Sequence, residues 1–215
     1  MSVTVIGSEK GGVSKSTLCI NLAVLCMLEG VDTLLVDADV QGSCNEFSQK
    51  RDAEDITPRI PVIQKRGGNL HREIKGLAER YECVIVDTGG RDSVELRSSL
   101  LIADTVLVPV QASQFDLWTV DKTFDILTKG QDFNPDLRPL VVIARASPNI
   151  LIRAARDAMD FLHAFPGVRV CETIIYERIA WQKSIRQGRG VIELNPQDAK
   201  ASHELRLLYE EVFGG

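Results

Sequence analysis

Gly7-Ser8-Glu9-Lys10-Gly11-Gly12-Val13-Ser14-Lys15-Ser16-Thr17 stands between two different periodicities. Ahead of it, Val3-Thr4-Val5-Ile6 is a short apolar run that predicts a strand. Behind it, Ser16 to Glu29 predicts a helix, stopped by Gly30. A glycine-rich bend between strand and helix lets successive backbone N–H groups converge on an anion, and the helix adds its positive N-terminal end. In that setting Lys15 can reach the β- and γ-phosphates of a nucleotide, and the Ser16 hydroxyl can ligate Mg²⁺. Gly11, Gly12, Val13, Ser14, Lys15, Ser16 and Thr17 are therefore the expected nucleotide-binding residues. Ser14 stands where glycine usually precedes the lysine of such a loop. A Cβ there would strain the turn, and alter affinity or turnover, if the backbone needs a positive φ.

Outward from this bend the same alternation continues. Thr33 to Asp37, Cys83 to Asp87, Thr105 to Val110, Leu140 to Ala144 and Val168 to Ile175 read as strands. Helices are expected over 69–80, 92–102, 115–128, 150–164, 177–187 and 198–213. The strand segments are continuous apolar runs rather than alternating ones, which suits parallel strands covered on both faces. The expected architecture is α/β: a doubly wound, mostly parallel sheet with helices on both faces, in a single domain over residues 1–215. Ligands on such sheets bind at the carboxyl ends of the strands. Gln49 to Gly68 has no clear period and reads as a surface connection with a short edge strand near Pro61 to Gln64.

Composition excludes several classes. Of 215 residues 44% are hydrophobic and 26% charged, which argues against disorder. No apolar run approaches the ~20 residues of a membrane span, and the N-terminus lacks the basic-then-apolar order of a secretory signal, so a cytoplasmic protein is expected. The five cysteines are odd in number and contain no Cys-x-x-Cys, as expected of reduced thiols rather than a metal site. His71, His163 and His203 have no ligand spacing. The formal net charge is −5, but Arg145 to Arg189 holds eight basic residues against four acidic ones, so one stretch is +4 and the rest −9. A local basic face on an acidic chain remains compatible with nucleic-acid binding.

Two further blocks follow strands. Asp37-Ala38-Asp39-Val40-Gln41-Gly42-Ser43 places two carboxylates, one residue apart on an extended segment, on the same side. Val84-Ile85-Val86-Asp87 is an apolar strand ending in a carboxylate, the Walker B form, continued by Thr88-Gly89-Gly90. With the second lysine, Lys10, and the block from Asp104 to Asp116, the chain resembles the ParA/MinD group of P-loop ATPases with a deviant Walker A motif. It is most similar to the small plasmid-partition ParA proteins that lack an N-terminal DNA-binding extension, and the resemblance spans nearly the whole chain.

That resemblance implies a P-loop NTPase fold with ATP and Mg²⁺ as cofactors. Lys10 would be the signature lysine, reaching across an ATP-bound homodimer to the partner's phosphates, with Lys15 and Asp39 completing the catalytic set. Asp39 would position the attacking water; Ser16, Asp37 and Asp87 would surround the metal, Asp87 through water. Arg145, after the strand that ends at Ala144, is a candidate base contact, with a plain surface position as the alternative. Val40 replaces a usual proline, and Gly89 and Gly90 stand where prolines are often found. Arg178, Lys183, Arg186 and Arg189 would bind DNA non-specifically, the last three at i, i+3 spacing. A ParB-like adaptor would stimulate slow hydrolysis, and the ATP-bound form would associate with the nucleoid. The last helix carries too many glutamates for an anionic membrane surface and is expected to pack on the core. The function implied is ATP-driven segregation or positioning of plasmid DNA. The alternatives are a conjugation or protein-positioning ATPase of the same family, and a small-molecule P-loop kinase or ligase, against which Lys10 argues.

Overall fold

The computed structural model describes residues 1–90, 93–111, 117–148, 152–163 and 168–214. Among the described residues seven strands form one sheet: β1 (Ser2–Ser8), β2 (Thr33–Ala38), β3 (Val62–Gln64), β4 (Cys83–Gly90), β5 (Thr105–Val110), β6 (Arg138–Ala146) and β7 (Arg169–Tyr176). Their order is β3-β2-β4-β1-β5-β6-β7, and every pairing is parallel. Between and after them run α1 (Lys15–Leu28), α2 (Ser43–Ala53), α3 (Leu70–Ala78), α4 (Val94–Leu100), α5 (Leu117–Phe133), α6 (Ile152–His163), α7 (Ile179–Arg186) and α8 (Ala199–Phe213). The far end of the block Asp104 to Asp116, at 112–116, lies outside the described residues.

Alternate residues of the central strands serve two separate cores. Ile6, Leu35, Ile85, Leu107 and Val142 pack with Leu18, Leu22 and Leu25 of α1, Trp181 of α7 and Leu205, Leu208 and Val212 of α8. Val5, Val36, Val86, Val106 and Val108 pack with Leu70 and Ile74 of α3, Leu96 and Leu100 of α4 and Leu127 of α5. Both faces are therefore covered, which is why the strands read as unbroken apolar runs. The α8 helix packs on the core as expected, with Ala201, Leu205, Leu208 and Val212 buried. Among the described residues no helix is long and apolar enough to cross a membrane.

The stretch read as an irregular connection from Gln49 needs correction, because its start belongs to α2. This helix buries only Cys44, Phe47 and Arg51, a stripe spaced by three and four residues. The third position is charged, so the apolar period vanishes from the sequence. Arg51 is 1% exposed. Its Nε donates to Pro58 O at 2.8 Å, Nη1 donates to Gly188 O at 3.0 Å, and the guanidinium forks onto Glu193 at 2.7 and 2.8 Å. Arg51 thus ties α2 to the turn that follows α7.

For the site, the register matters most. Asp37 of β2 lies directly beside Asp87 of β4, and β4 lies beside β1, whose end opens into the glycine-rich loop. Three strand ends bearing the motifs are neighbours in the sheet.

Candidate functional site

Loop 9–14 leaves β1 and turns onto α1 with two left-handed residues, Gly12 at φ 77° and Ser14 at φ 72°. Gly12 adopts this region freely; Ser14 does so against the contact of its Cβ with the following carbonyl. Its hydroxyl makes no capping hydrogen bond, so the residue gains nothing in return. Ser14→Gly is expected to stabilise the chain by about 1 kcal/mol, raising its melting temperature by roughly 2–4 °C; thermal unfolding followed by circular dichroism checks this, and an unchanged or lower value would count against strain at this turn.

Val13 turns into the core, while Lys15 is buried at 6% exposure. Its Nζ donates to Lys10 O at 3.3 Å. The Lys10 backbone N–H donates to Ser8 Oγ at 3.3 Å, and the residue is half-buried. The end of β4 crowds this loop. A Cβ on Gly90 would come within 3.3 Å of Gly11 Cα and N and 3.5 Å of Lys15 Nζ, and one on Gly89 within 3.8 Å of the Asp39 carboxylate. A side chain at 90 would press on the loop backbone, whereas one at 89 would make ordinary contact with Asp39.

Asp37 and Asp87 are both fully buried. Asp37 Oδ2 accepts Asn45 N–H at 2.9 Å and Oδ1 accepts Asp39 N–H at 3.3 Å. Burial pushes its carboxyl upward while those amides pull it back. Its oxygens hold the β2–α2 turn in place. Asp87 Oδ2 accepts the Cys44 thiol at 3.2 Å, but Oδ1 makes no hydrogen bond of ordinary geometry. Burial pushes Asp87 up to about 6, against the easing effect of the nearby Ser16 and Cys44 side chains. A buried carboxylate oxygen with an open valence beside a serine hydroxyl suits a cation, which would have to displace the proton below about that pH. Among the described residues no three His, Cys, Asp or Glu converge as a metal cage. The open Asp87 oxygen would suit Mg²⁺, which is held by one or two carboxylates and keeps several waters.

Asp39 is half-buried at the rim. Its Oδ1 accepts Gln41 N–H at 3.0 Å, and Arg66 Nη2 donates to its carbonyl at 3.1 Å. The carboxylate thus faces Gly89 from a turn pinned through the backbone at both ends.

A cavity of about 700 Å³ opens over these strand ends. Gly11, Gly12, Ser14, Ser16 and Thr17 line one wall, Asp39 and Gln41 another, and Gly89 and Gly90 the base between them. Lys15 lines it too; Lys10 does not. Strand β6 runs two residues beyond the expected end, so Arg145 lies within it, at φ 53° where the register with β7 shifts. Arg145, 37% exposed, donates from Nη1 to Gly12 O at 2.7 Å and pairs through Nη2 with Glu177 at 2.6 Å. It is neither a bare surface residue nor free of the loop, but braces it. Glu177, Trp181, Gln182 and Arg66 also line the cavity. None was foreseen, because nothing in their spacing marks them: they arrive from β7, α7 and the β3–α3 connection by folding alone.

The four basic candidates separate. Arg178 is withdrawn: its Nε donates to Glu204 Oε1 at 2.9 Å, Nη2 donates to the same oxygen, and its guanidinium lies 5.4 Å from the Tyr176 ring centre. It joins α7 to α8 instead of facing solvent. Lys183 and Arg186 are exposed on α7, beside the 86% exposed Ile179. Arg189 lies in the following turn, half-buried; the Glu54 carboxyl is lowered chiefly by its hydrogen bond and charge pairing with Lys50, and only slightly by Arg189.

Residues 4–191 match the model of the CobQ/CobB/MinD/ParA nucleotide-binding domain. The chain is 27% identical to Maintenance of carboxysome distribution protein A of Gloeobacter kilaueensis, over 98% of this chain and 93% of that one. It is 26% identical to the chromosome-partitioning ATPase Soj of Thermus thermophilus, over 97% and 94%. In fold it is similar to a plasmid partition protein of Borrelia burgdorferi bound to AMPPNP, with a TM-score of 0.73, 19% identity and coverage of 98% and 99%.

Proposed function

The chain belongs to the CobQ/CobB/MinD/ParA nucleotide-binding family, and from that premise we propose that it is a cytoplasmic ATPase switch: ATP draws two copies together, the dimer binds DNA non-specifically, and slow hydrolysis releases it. Loop amides, the N-terminus of α1 and Lys15 hold the phosphates. Ser16 and Asp87 hold Mg²⁺, with Asp37 fixing the turn beside them. Held there, Mg²⁺ would supply positive charge to offset the charge that develops in phosphoryl transfer. Asp39 orients water from the opposite wall, and Arg145 braces the loop where the base enters.

The observation that carries this reading is the division of labour between the two lysines. Lys15 lines the cavity, whereas Lys10, five residues away, does not. Lys10 presents its backbone carbonyl to Lys15 Nζ, and the family resemblance assigns its half-buried side chain to the phosphates of a second copy. The named relatives in partition and carboxysome distribution support a positioning role. By the same resemblance, the cargo is plasmid DNA, and a ParB-like adaptor speeds hydrolysis.

DNA contact is assigned to Lys183 and Arg186, with Arg189 at the margin. Trp181 and Gln182, on the same helix, line the nucleotide cavity, so the basic face and the nucleotide share one short element. Sedimentation with ATP, ADP or no nucleotide, with and without non-specific DNA, tests the proposal; a monomer in all three states rejects it. Lys183→Glu with Arg186→Glu is expected to abolish ATP-dependent DNA retention at low salt while leaving ATP affinity within about twofold of wild type, because phosphate contacts are electrostatic and additive. Unchanged retention would remove α7 from the DNA surface.

A further inference from the structure

The first turn of α2 is held by two neighbouring strand-end carboxylates. Asp37 takes the Asn45 amide, and Asp87 takes the Cys44 thiol on Oδ2 at 3.2 Å. Cys44 and Asp87 are both fully buried, and Asp87 Oδ1 is left without a hydrogen bond. Cys19, the other buried thiol beside Asp87, points its sulfur at Val86 O at 4.0 Å and acts on the same carboxylate more weakly than Cys44 does.

A carboxylate turns about its last torsion in a broad well. A donor fixed on one oxygen sets the plane of the group and therefore the direction of the other. Cys44 is such a donor: it lies in the core, and its neighbour Asn45 is anchored to the adjacent strand. From this geometry we infer that Cys44 is a positioning residue of the metal site, its S–H holding Asp87 Oδ2 so that the unpartnered Oδ1 is kept in the orientation that would serve Mg²⁺. Carboxylates that serve a metal are themselves oriented by hydrogen bonds, and losing such a partner costs about 10–100-fold in metal affinity. A thiol is a weak donor, which places the effect near the lower end. The inference rests on the nucleotide-site reading above.

The test compares wild type, Cys44→Ala and Cys44→Ser by calorimetry of ADP binding, with and without MgCl₂. Cys44→Ala is expected to leave Mg²⁺-free ADP affinity unchanged and to lose about tenfold of the gain that Mg²⁺ brings; Cys44→Ser, which keeps a donor, retains that gain. An intact gain in Cys44→Ala, an equal loss with and without Mg²⁺, or no rescue by serine overturns the inference and leaves the nucleotide site standing. Failure of every protein to bind ADP overturns the nucleotide reading and this inference with it. Infrared spectroscopy of the nucleotide-free protein reads the contact directly. An S–H stretch at lowered frequency is expected in wild type and absent in Cys44→Ala, and its absence from wild type refutes the hydrogen bond itself.

Discussion

Asp39→Ala is expected to slow ATP turnover by roughly 10²–10⁴-fold, the range for a group that positions or accepts a proton from the attacking water, and to leave ATP held in a long-lived dimer. Three observations make the loss specific to the chemical step. The Asp39 side chain makes one hydrogen bond among the described residues, to the exposed Gln41 amide, so its removal costs the fold little. The turn itself is pinned through backbone groups, by Asp37 Oδ1 on the Asp39 amide and by Arg66 on its carbonyl, and survives the substitution. The groups assigned to the phosphates belong to the loop and α1, not to the Asp39 turn, so affinity for ATP is expected to be retained. Phosphate release, retention of labelled ATP and sedimentation measure the three consequences separately. Turnover at the wild-type rate would remove Asp39 from the mechanism, whereas lost ATP binding would make it part of the binding site instead.

The second large effect is on stability. Glu193→Ala leaves the Arg51 guanidinium, 1% exposed, without its carboxylate. Removing one partner of a buried pair typically costs 3–5 kcal/mol, because the remaining charge stays desolvated. Pro58 O and Gly188 O still accept from Arg51, so the cost is expected at the lower end, about 3 kcal/mol. The Gly190 amide also loses its acceptor on Glu193. For a chain of this length that lowers the melting temperature by roughly 6–12 °C. Replacing both partners, Arg51→Met with Glu193→Leu, is expected to recover only part of the loss: no charge is then left unpaired, but Pro58 O, Gly188 O and the Gly190 amide lose their partners. A single variant that melts within about 2 °C of wild type would mean that water reaches Arg51 and the pair is not buried in solution.

These two predictions draw on different sources. The place of Asp39 at the cavity was legible because it follows a strand at a fixed spacing: a carboxylate after an apolar run, two residues past another. The same holds for Lys15, Ser16 and Asp87, and the structure gathers all of them at adjacent strand ends. The Ser14 departure was legible too, and its backbone takes the positive φ that makes a Cβ costly. Arg51 was not legible. A charged residue in a poorly apolar window reads as surface, and the same arginine hides the period of α2. Its burial is affordable only because Glu193, 142 residues away, and two carbonyls meet it. Arg178 failed for the same reason in reverse: its spacing placed it with three other basic residues, but Glu204 of α8 captures it.

Read alone, this chain determines its layered parallel architecture, its phosphate loop and the carboxylates that face it, because those depend on periods and spacings within a few consecutive residues. Only the tertiary structure decides which charges stay free. Whether Arg145 braces a loop, Arg178 pairs inward or Cys44 steers a carboxylate depends on groups brought together from distant strands and helices, and a buried charge or donor takes the partner that the packing supplies.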